Sequence, residues 1–333
     1  MAEFISSFIT GFQSVVESDL TERFPNLKII NIYDGLVHYK FSGDSRELEK
    51  IIYFNNTFFV LKTMKGKGAN FPSLVNAVCT SKNYFLVNKG SFRIRFVQEN
   101  QFAKVDKSLT RRAEEYVLAN SKLRLDRLSP TNEVWFSIRR EGFAFCGELI
   151  SKREFTEKNL NKGELRPEIA YFLCCFASVK PEDTILEPFC GYGSIPTQLA
   201  KKFRFKKLFI SDIEAERVEL TKSRKQISSA SPELIDCRIA DALSLNHIED
   251  KSVSLVITDP PWGFYEDIGD INEFYKKMFL SFDRLLAPEG RMVILSARKE
   301  ELEQTAAATG FKIKNSLHTL VNGKKAGVYL ITR

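Results

Sequence analysis

Between residues 183 and 309 the chain alternates short apolar runs with longer stretches whose apolar positions recur every three or four residues. The first pattern is that of buried strands, the second that of helices with one face inward. "DTILEPF" (183–189) reads as a strand running into a glycine turn, and "SIPTQLAKKF" (194–203) as the helix after it. "KKLFISD" (206–212) is a strand ending in an acid, and "EAERVELTKSRKQIS" (214–228) reads as one charged amphipathic helix. "DCRIAD" (236–241) and "VSLVITD" (253–259) are two more strands, each closing on an aspartate. "INEFYKKMFLSFDRLLA" (271–287) is a helix stopped by Pro288 and Gly290, "GRMVILSA" (290–297) a strand and "KEELEQTAAAT" (299–309) a helix. The ending differs. "FKIKNSLHTL" and "AGVYLITR" are strands joined through Asn322-Gly323, a strong hairpin signal.

Strands alternating with helices predict a parallel sheet covered on both faces, closed here by an antiparallel hairpin. Such a hairpin is less usual for nucleotide dehydrogenases than for S-adenosylmethionine methyltransferases. Ligands of these sheets sit beyond the carboxyl ends of the strands. Asp212, Asp241 and Asp259 therefore fall along one rim. The first half is mixed α+β. "SVVESDLTERF" (14–24) and "SLTRRAEEYVLANS" (108–121) have helical spacing, and "KIINIYDGLVHYKFS" (28–42) gives two strands around Asp34-Gly35. "RELEKIIYFNNTFFVLKTM" (46–64) is a helix and then a strand, "SFRIRFV" (91–97) a strand, and "EVWFSIRREGFAFCGELI" (133–150) a hairpin. The polar stretch "REFTEKNLNKGELRP" (153–167) reads as a connection between domains.

Composition narrows the class. A chain of 333 residues has room for two domains. No apolar run reaches the roughly 20 residues of a membrane span, and the N-terminus lacks the marks of a signal peptide. Cys79, Cys146, Cys174, Cys175, Cys190 and Cys237 show no C-x-x-C spacing, so reduced thiols in a cytoplasm are expected rather than zinc or disulfides. His38, His247 and His318 are scattered and form no metal set. The net charge of +7 lies almost wholly in residues 1–164, which carry 25 Lys and Arg against 19 Asp and Glu. A basic excess on one domain suits a polyanion such as nucleic acid.

Two motifs carry chemistry. In "EPFCGYGSIP" (187–196) Gly191 and Gly193 allow a tight turn at a helix start, where free backbone N–H groups meet a carboxylate or phosphate. The third glycine of the dinucleotide fingerprint is missing. Asp212 lies about 20 residues further on, the position of an acid that accepts from ribose hydroxyls, with Glu214 the alternate; Asp212 could instead cap the next helix. Asp241 is placed to take an adenine amino group, or to close a turn. The second motif is "DPPWGFYED" (259–267). Pro260 and Pro261 remove backbone donors and stiffen the chain, leaving carbonyls free beside the ionised Asp259. An acceptor-rich claw of this kind suits an amino group on an aromatic ring. Hydrogen bonds from both its N–H groups favour the pyramidal form, whose lone pair can attack a methyl group. Trp262 would stack on the ring, worth about 1–3 kcal/mol. Phe264 and Tyr265 could line the same pocket.

The pair "EPFCGYG" and "DPPWG" resembles the amino-methyltransferases of the Rossmann-like S-adenosylmethionine-dependent class. "ELRPEIAYFL" (164–173) is similar to the "LRP…A" lead-in of RNA methyltransferases that carry a THUMP domain, and "FITGFQSVVESDL" to the opening of the ferredoxin-like segment before it. The resemblance is strong over 163–300 and looser before residue 160. It implies a class I methyltransferase domain at 167–333, a ferredoxin-like segment at 1–65, a THUMP-like RNA-binding domain at 66–152 and a linker at 153–166. It implies S-adenosyl-L-methionine as cofactor, held by Arg166, Glu187, Pro188, Phe189, Cys190, Gly191, Gly193, Asp212, Ile213, Asp241, Ala242 and Asp259, with Tyr192 and Ser194 at less strict positions. Glu187 stands where many relatives have Asp. Asp259, Pro260, Pro261 and Trp262 match the catalytic turn, with tryptophan where many RNA relatives have tyrosine.

The implied function is methylation of an exocyclic amino group, N2 of guanosine in tRNA, with ribosomal RNA as the other substrate. The basic first half would hold structured RNA by its backbone and shape, through Arg111, Arg112, Arg139, Arg140, Lys152 and Arg153. The family also includes members that use a small activating protein partner. Other readings are methylation of adenine N6 or of a protein glutamine amide, and a catalytically silent RNA-binding protein. Cys190 as a nucleophile would mean C5-pyrimidine methylation, but the Pro-Cys signature of that chemistry is missing and a packed thiol is expected.

Overall fold

A computed structural model describes residues 1–66, 68–87, 89–153, 160–264 and 268–333, in two compact units. The first, Met1–Phe8 with Leu20–Glu154, is built on one sheet. Its strands are β1 (Ala2–Ser7), β2 (Leu27–Tyr33), β3 (Leu36–Phe41), β4 (Asn56–Lys65), β5 (Ser91–Gln98), β6 (Gln101–Phe102), β7 (Arg124–Leu125), β8 (Asn132–Ile138) and β9 (Phe143–Lys152), in the order β2-β3-β1-β4-β9-β8-β5-β6 with β7 beside β5. The division expected after residue 65 does not divide this sheet, because β4 pairs with β1 on one side and β9 on the other. The expected hairpin of residues 133–150 is β8–β9. Residues 46–64 begin with a 3-10 turn, Ser45–Lys50, capped by the Asp44 side chain, and continue as β4.

Helices α1 (Gln13–Arg23), α2 (Phe71–Cys79) and α3 (Lys107–Asn120) complete the first half of the chain. The sequence reading passed over α2. Asn70 and Ser73 form a capping box and Pro72 sits in the first turn. Phe71, Leu74, Val75 and Val78 then bury one face against Phe92, Phe96, Val134 and Phe136.

The second unit, Ile9–Asp19 with Phe155–Arg333, carries the alternating pattern. Its elements are α4 (Pro167–Phe176), β10 (Thr184–Glu187), α5 (Ser194–Lys202), β11 (Lys207–Asp212), α6 (Ala215–Ser223), α7 (Lys225–Ser228), β12 (Ile235–Ile239), β13 (Val253–Thr258), α8 (Ile271–Leu285), β14 (Leu286–Ser296), α9 (Lys299–Ala308), β15 (Lys312–Val321) and β16 (Lys324–Thr332). The sheet order is β12-β11-β10-β13-β14-β16-β15. The strands are parallel except where β16 pairs with β14 and β15. Asn322 and Gly323 both have positive φ, as the expected hairpin turn requires. On α8, Tyr275, Met278, Phe279, Phe282 and Leu285 recur at helical spacing and pack on Leu186, Val256, Met292 and Ile294. Burying each such side chain contributes about 1.5–3 kcal/mol.

Three expectations are corrected. The single helix over 214–228 breaks at Arg224, whose backbone is extended (φ −62°, ψ 126°). Its guanidinium donates instead to the Tyr192 carbonyl and pairs with Glu164. The helix expected to reach Ala287 ends at Leu285, because Leu286 already pairs with Val253. Pro288 and Gly290 then lie in a bulge, since Leu255 pairs with Arg291. Residues 9–19, expected in an N-terminal segment, belong to the second unit. There Phe12 stacks on Phe172 with ring centres 4.4 Å apart, the Tyr171 hydroxyl donates to Asp19 (2.6 Å), and Thr319 Oγ1 donates to the Thr10 carbonyl (2.8 Å).

Candidate active site

The order of the second sheet reverses between β10 and β13, and there its crevice opens. Glu187 ends β10, Asp259 follows β13, and the Thr258 hydroxyl donates to Glu187 Oε1 at 3.0 Å across the gap. A cleft of about 590 Å³ lies above, a volume that suits a nucleoside-sized ligand. Pro188, Phe189, Cys190, Gly191, Asp212, Ile213, Asp241, Ala242, Asp259, Pro260, Pro261 and Trp262 all line it. Twelve residues singled out in the sequence thus converge on one cavity.

The glycine loop is braced from below. Cys190 N–H donates to the Ser211 carbonyl, and Gly191 N–H to Asp212 Oδ2 at 2.9 Å. Asp212 Oδ1 accepts from the Glu214 amide at 3.0 Å. Asp212 is therefore both a rim acid and the anchor of the loop, and each oxygen keeps a further lone pair for a ligand. Asp241 similarly accepts from the Leu243 amide at 2.9 Å and lies exposed on the rim. Thr221, which the sequence reading did not single out, donates its hydroxyl to the Gly191 carbonyl at 3.1 Å. Gly193 has φ +80°, and a Cβ there would lie 2.8 Å from Thr221 Oγ1. Gly193→Ala should therefore destabilise the protein by about 2 kcal/mol, from left-handed strain plus overlap. Thermal melts should show a fall of about 4–8 °C, and an unchanged melting temperature would refute this account of the loop.

Glu187 is fully buried. Burial pushes its carboxyl well above the ordinary range, against hydrogen bonds from Thr258 and the Phe189 amide. It floors the cleft without lining it. Gly193 caps α5 rather than facing the cavity. Arg166 also stays out of the lining and bonds Glu168, at 2.7 Å from Nε. Cys190 is 6% exposed and its thiol is pushed up by burial, which accords with a packed thiol and not a nucleophile.

The turn after β13 is chemically unfinished. Asp259 Oδ1 and Trp262 Nε1 are sealed from solvent without hydrogen-bond partners. Burial raises the Asp259 carboxyl to about 8, and the nearby Trp262 indole N–H opposes that shift without reaching hydrogen-bond geometry. A buried acceptor without a partner wants a donor from a ligand. An amino group is such a donor. Phe264, Ile268 and Phe274 add apolar wall, while Tyr265 lies outside the described residues.

Several lining residues were not foreseen. Phe274 of α8 packs near Phe189, with ring centres 5.9 Å apart. Arg217 lies over the Tyr192 ring at 3.9 Å, and Val321 and Asn322 come from the terminal hairpin. The stretch 162–165, read as linker, forms one wall. Glu164 is buried, accepts from the Asn161 amide and pairs with Arg224. Residues 154–159 of that linker lie outside the described residues.

The basic candidates of the first unit divide. Arg139 is engaged, donating to the Asp34 carbonyl (2.6 Å) and pairing with Glu141 (2.9 Å). Arg140 is 84% exposed beside Glu99. Arg111, Arg112 and Lys152 are exposed, with Arg112 bonded to Asn76. The Arg153 amide donates to the Asn55 carbonyl. Arg95 lies over the exposed ring of Phe102 at 4.7 Å, a pairing the sequence reading missed. Among the described residues no cluster of His, Cys, Asp and Glu could hold a metal, and no helix is long and apolar enough to cross a membrane.

Known proteins share this domain and this fold. The RMKL-like methyltransferase domain matches residues 153–326. A tRNA (guanine(6)-N2)-methyltransferase of Methanocaldococcus jannaschii is 21% identical over 97% of both chains. One from Thermus thermophilus is 25% identical over 69% of both. Among solved structures, TrmN from Thermus thermophilus superposes over 100% of both chains with a TM-score of 0.78 at 20% identity, which shows the shared fold.

Proposed function

The chain belongs to the family of the RMKL-like methyltransferase domain, and from that premise we propose that it methylates the N2 amino group of a guanosine in tRNA. The observation that carries the reading is the buried, unpartnered acceptor of Asp259 beside the unpartnered Trp262 N–H in the D-P-P-W turn. The names of the relatives, one matched over 97% of the chain and the other over 69%, support guanine N2 and tRNA.

The cleft fits S-adenosyl-L-methionine, which supplies an electrophilic methyl group when bound. Asp212 would accept from its ribose hydroxyls, Asp241 from its adenine amino group, and Gly191 would let the ligand approach the backbone closely. Ile213 and Ala242 would flank the adenine. The target base would be flipped out of the RNA, at a cost of a few kcal/mol. Asp259 would hold its amino group, the proline carbonyls would accept the second N–H, and Trp262 would stack on the ring. The basic first unit would hold the tRNA by its backbone, with Arg140 and the Arg95–Phe102 pair among its exposed contacts.

The test is nucleoside mass spectrometry of tRNA from cells with and without the gene, and of transcribed tRNA treated with the pure protein. Loss of N2-methylguanosine on deletion, and its appearance in vitro, are expected. A methyladenosine in its place would overturn the choice of base. No change in any tRNA nucleoside would overturn the substrate.

A further inference from the structure

We propose that Arg298 is a positioning residue for the catalytic turn, holding the peptide after Pro261 and thereby the placement of Asp259 and Trp262. The inference rests on the methyl-transfer reading above and deepens it. The physical problem begins with the two prolines. Pro260 and Pro261 have no amide hydrogen, so the turn lacks two donors with which turns ordinarily close on themselves. Among the described residues no backbone–backbone hydrogen bond closes residues 259–264. The Asp259 and Trp262 side chains do not brace it either, since their inner polar atoms are unpartnered. Gly263 follows at φ +70° and gives the chain a pivot. Among the described residues, a turn that must aim an acceptor at one amino group thus has few braces of its own beyond its proline rings.

Arg298 supplies the missing brace from another element. It stands just past β14, at the start of α9. Its Nε donates to the Trp262 carbonyl at 2.8 Å, and its guanidinium lies 4.5 Å from the centre of the Phe264 ring. One side chain therefore grips both flanks of the Gly263 pivot. Arg298 is itself fixed. Its amide donates to Ser296 Oγ at 2.9 Å, and that hydroxyl meets the Tyr275 hydroxyl at 2.8 Å in the core. Nη1 lies 3.6 Å from Glu301 on the first turn of α9. Contacts thus run unbroken from the packed face of α8 to the carbonyl of Trp262. Lys324, at the start of β16, adds a second cation 3.8 Å from the Phe264 ring. The Arg298 side chain is 32% exposed with its Nε committed inward, which suits a brace better than a phosphate contact.

The experiment compares Arg298→Ala and Arg298→Lys in a Trp135→Phe background, where Trp262 is the sole remaining tryptophan. In the alanine variant kcat on tRNA should fall about 10²-fold, the scale of a misplaced reacting group. Cofactor affinity and KM for tRNA should stay within a factor of about three. Added guanidinium ion should restore part of the lost kcat, and the lysine variant should fall between. Acrylamide should quench Trp262 fluorescence more strongly in the alanine variant with no substrate present. An unchanged kcat would overturn the proposal. So would a defect confined to KM for tRNA, which marks an RNA contact, or an equal loss of kcat and cofactor affinity, which marks general damage. If the protein with both Trp135 and Arg298 intact methylates no tRNA at all, the functional reading fails instead. The quenching difference then decides the brace alone, and its absence would overturn it.

Discussion

Asp259→Asn should slow methyl transfer by about 10³-fold, the upper range for removing one preorganised polar contact to a reacting group, while cofactor affinity stays within a factor of about three. The amide keeps the shape of the carboxyl but replaces an anionic acceptor with a group that is half donor. An amino group has two hydrogens to give, so an NH₂ facing it repels where a carboxylate attracts. Equilibrium binding of S-adenosylmethionine and single-turnover rates separate the two effects. A variant that lost cofactor affinity as much as rate would place Asp259 with the cofactor alone.

The same substitution has an opposite effect on stability. Burial lifts the Asp259 carboxyl from the ordinary aspartate value of 3.8 to about 8. Between those limits the folded protein holds this proton more tightly than the unfolded chain does. The stability that goes with it is complete below about pH 4 and is lost as pH rises through about 8. The substituted amide would carry no charge at any pH. The variant should therefore melt above the wild type, with a gap that widens from pH 5 to pH 9. A gap independent of pH would show that the ionised carboxylate is not strained by its surroundings. For the same reason, kcat/KM of the wild type should climb with pH toward 8, as the ionised acceptor becomes populated in the free enzyme.

Asp212→Ala should weaken S-adenosylmethionine binding by about 10²-fold, because it removes two charge-assisted contacts worth about 1.5–3 kcal/mol each together with the ribose acceptor. The carboxylate ties the Gly191 amide to the Glu214 amide, so its loss frees the loop as well as the rim. Asp212→Asn keeps one acceptor and should lose less. Calorimetric titration checks both. If alanine left affinity intact, Glu214 would be the ribose contact and Asp212 only a cap.

The candidate site was far more legible in the sequence than the supports that hold it. "EPFCGYG" and "DPPWG" state their chemistry in consecutive residues, and strand periodicity put Asp212, Asp241 and Asp259 on one rim before any fold was known. Thr221, Arg224 and Arg298 act across 30 to 36 residues of sequence. Nothing local distinguishes them from other helix threonines or solvated arginines. Arg224 shows the limit well. Its helical neighbourhood predicts a continuous helix, and only the distant carbonyl of Tyr192 and carboxylate of Glu164 reveal why it breaks. Helix α2 was a different failure, since Asn70, Pro72 and Ser73 spell out a helix start and the apolar spacing that follows is regular. The Leu285–Leu286 boundary was misplaced because Pro288 looks like a stop signal, whereas a bulge in β14 accommodates it.

The second unit takes Ile9–Asp19 from one end of the chain and everything after Glu154 from the other. During synthesis, Phe12 emerges long before the ring of Phe172 on which it stacks, and Thr10 waits 309 residues for the hydroxyl of Thr319. This unit therefore cannot be completed on the ribosome until Thr319 has been made, even though the intervening residues can already be building their own sheet. A gene fragment beginning at the matched domain, residue 153, would encode the chemistry but leave Phe172 and Tyr171 without their covering segment. Inheritance is constrained in the same way: this unit is not one continuous stretch that recombination can lift out, because Ile9–Asp19 are encoded on the far side of Leu20–Glu154.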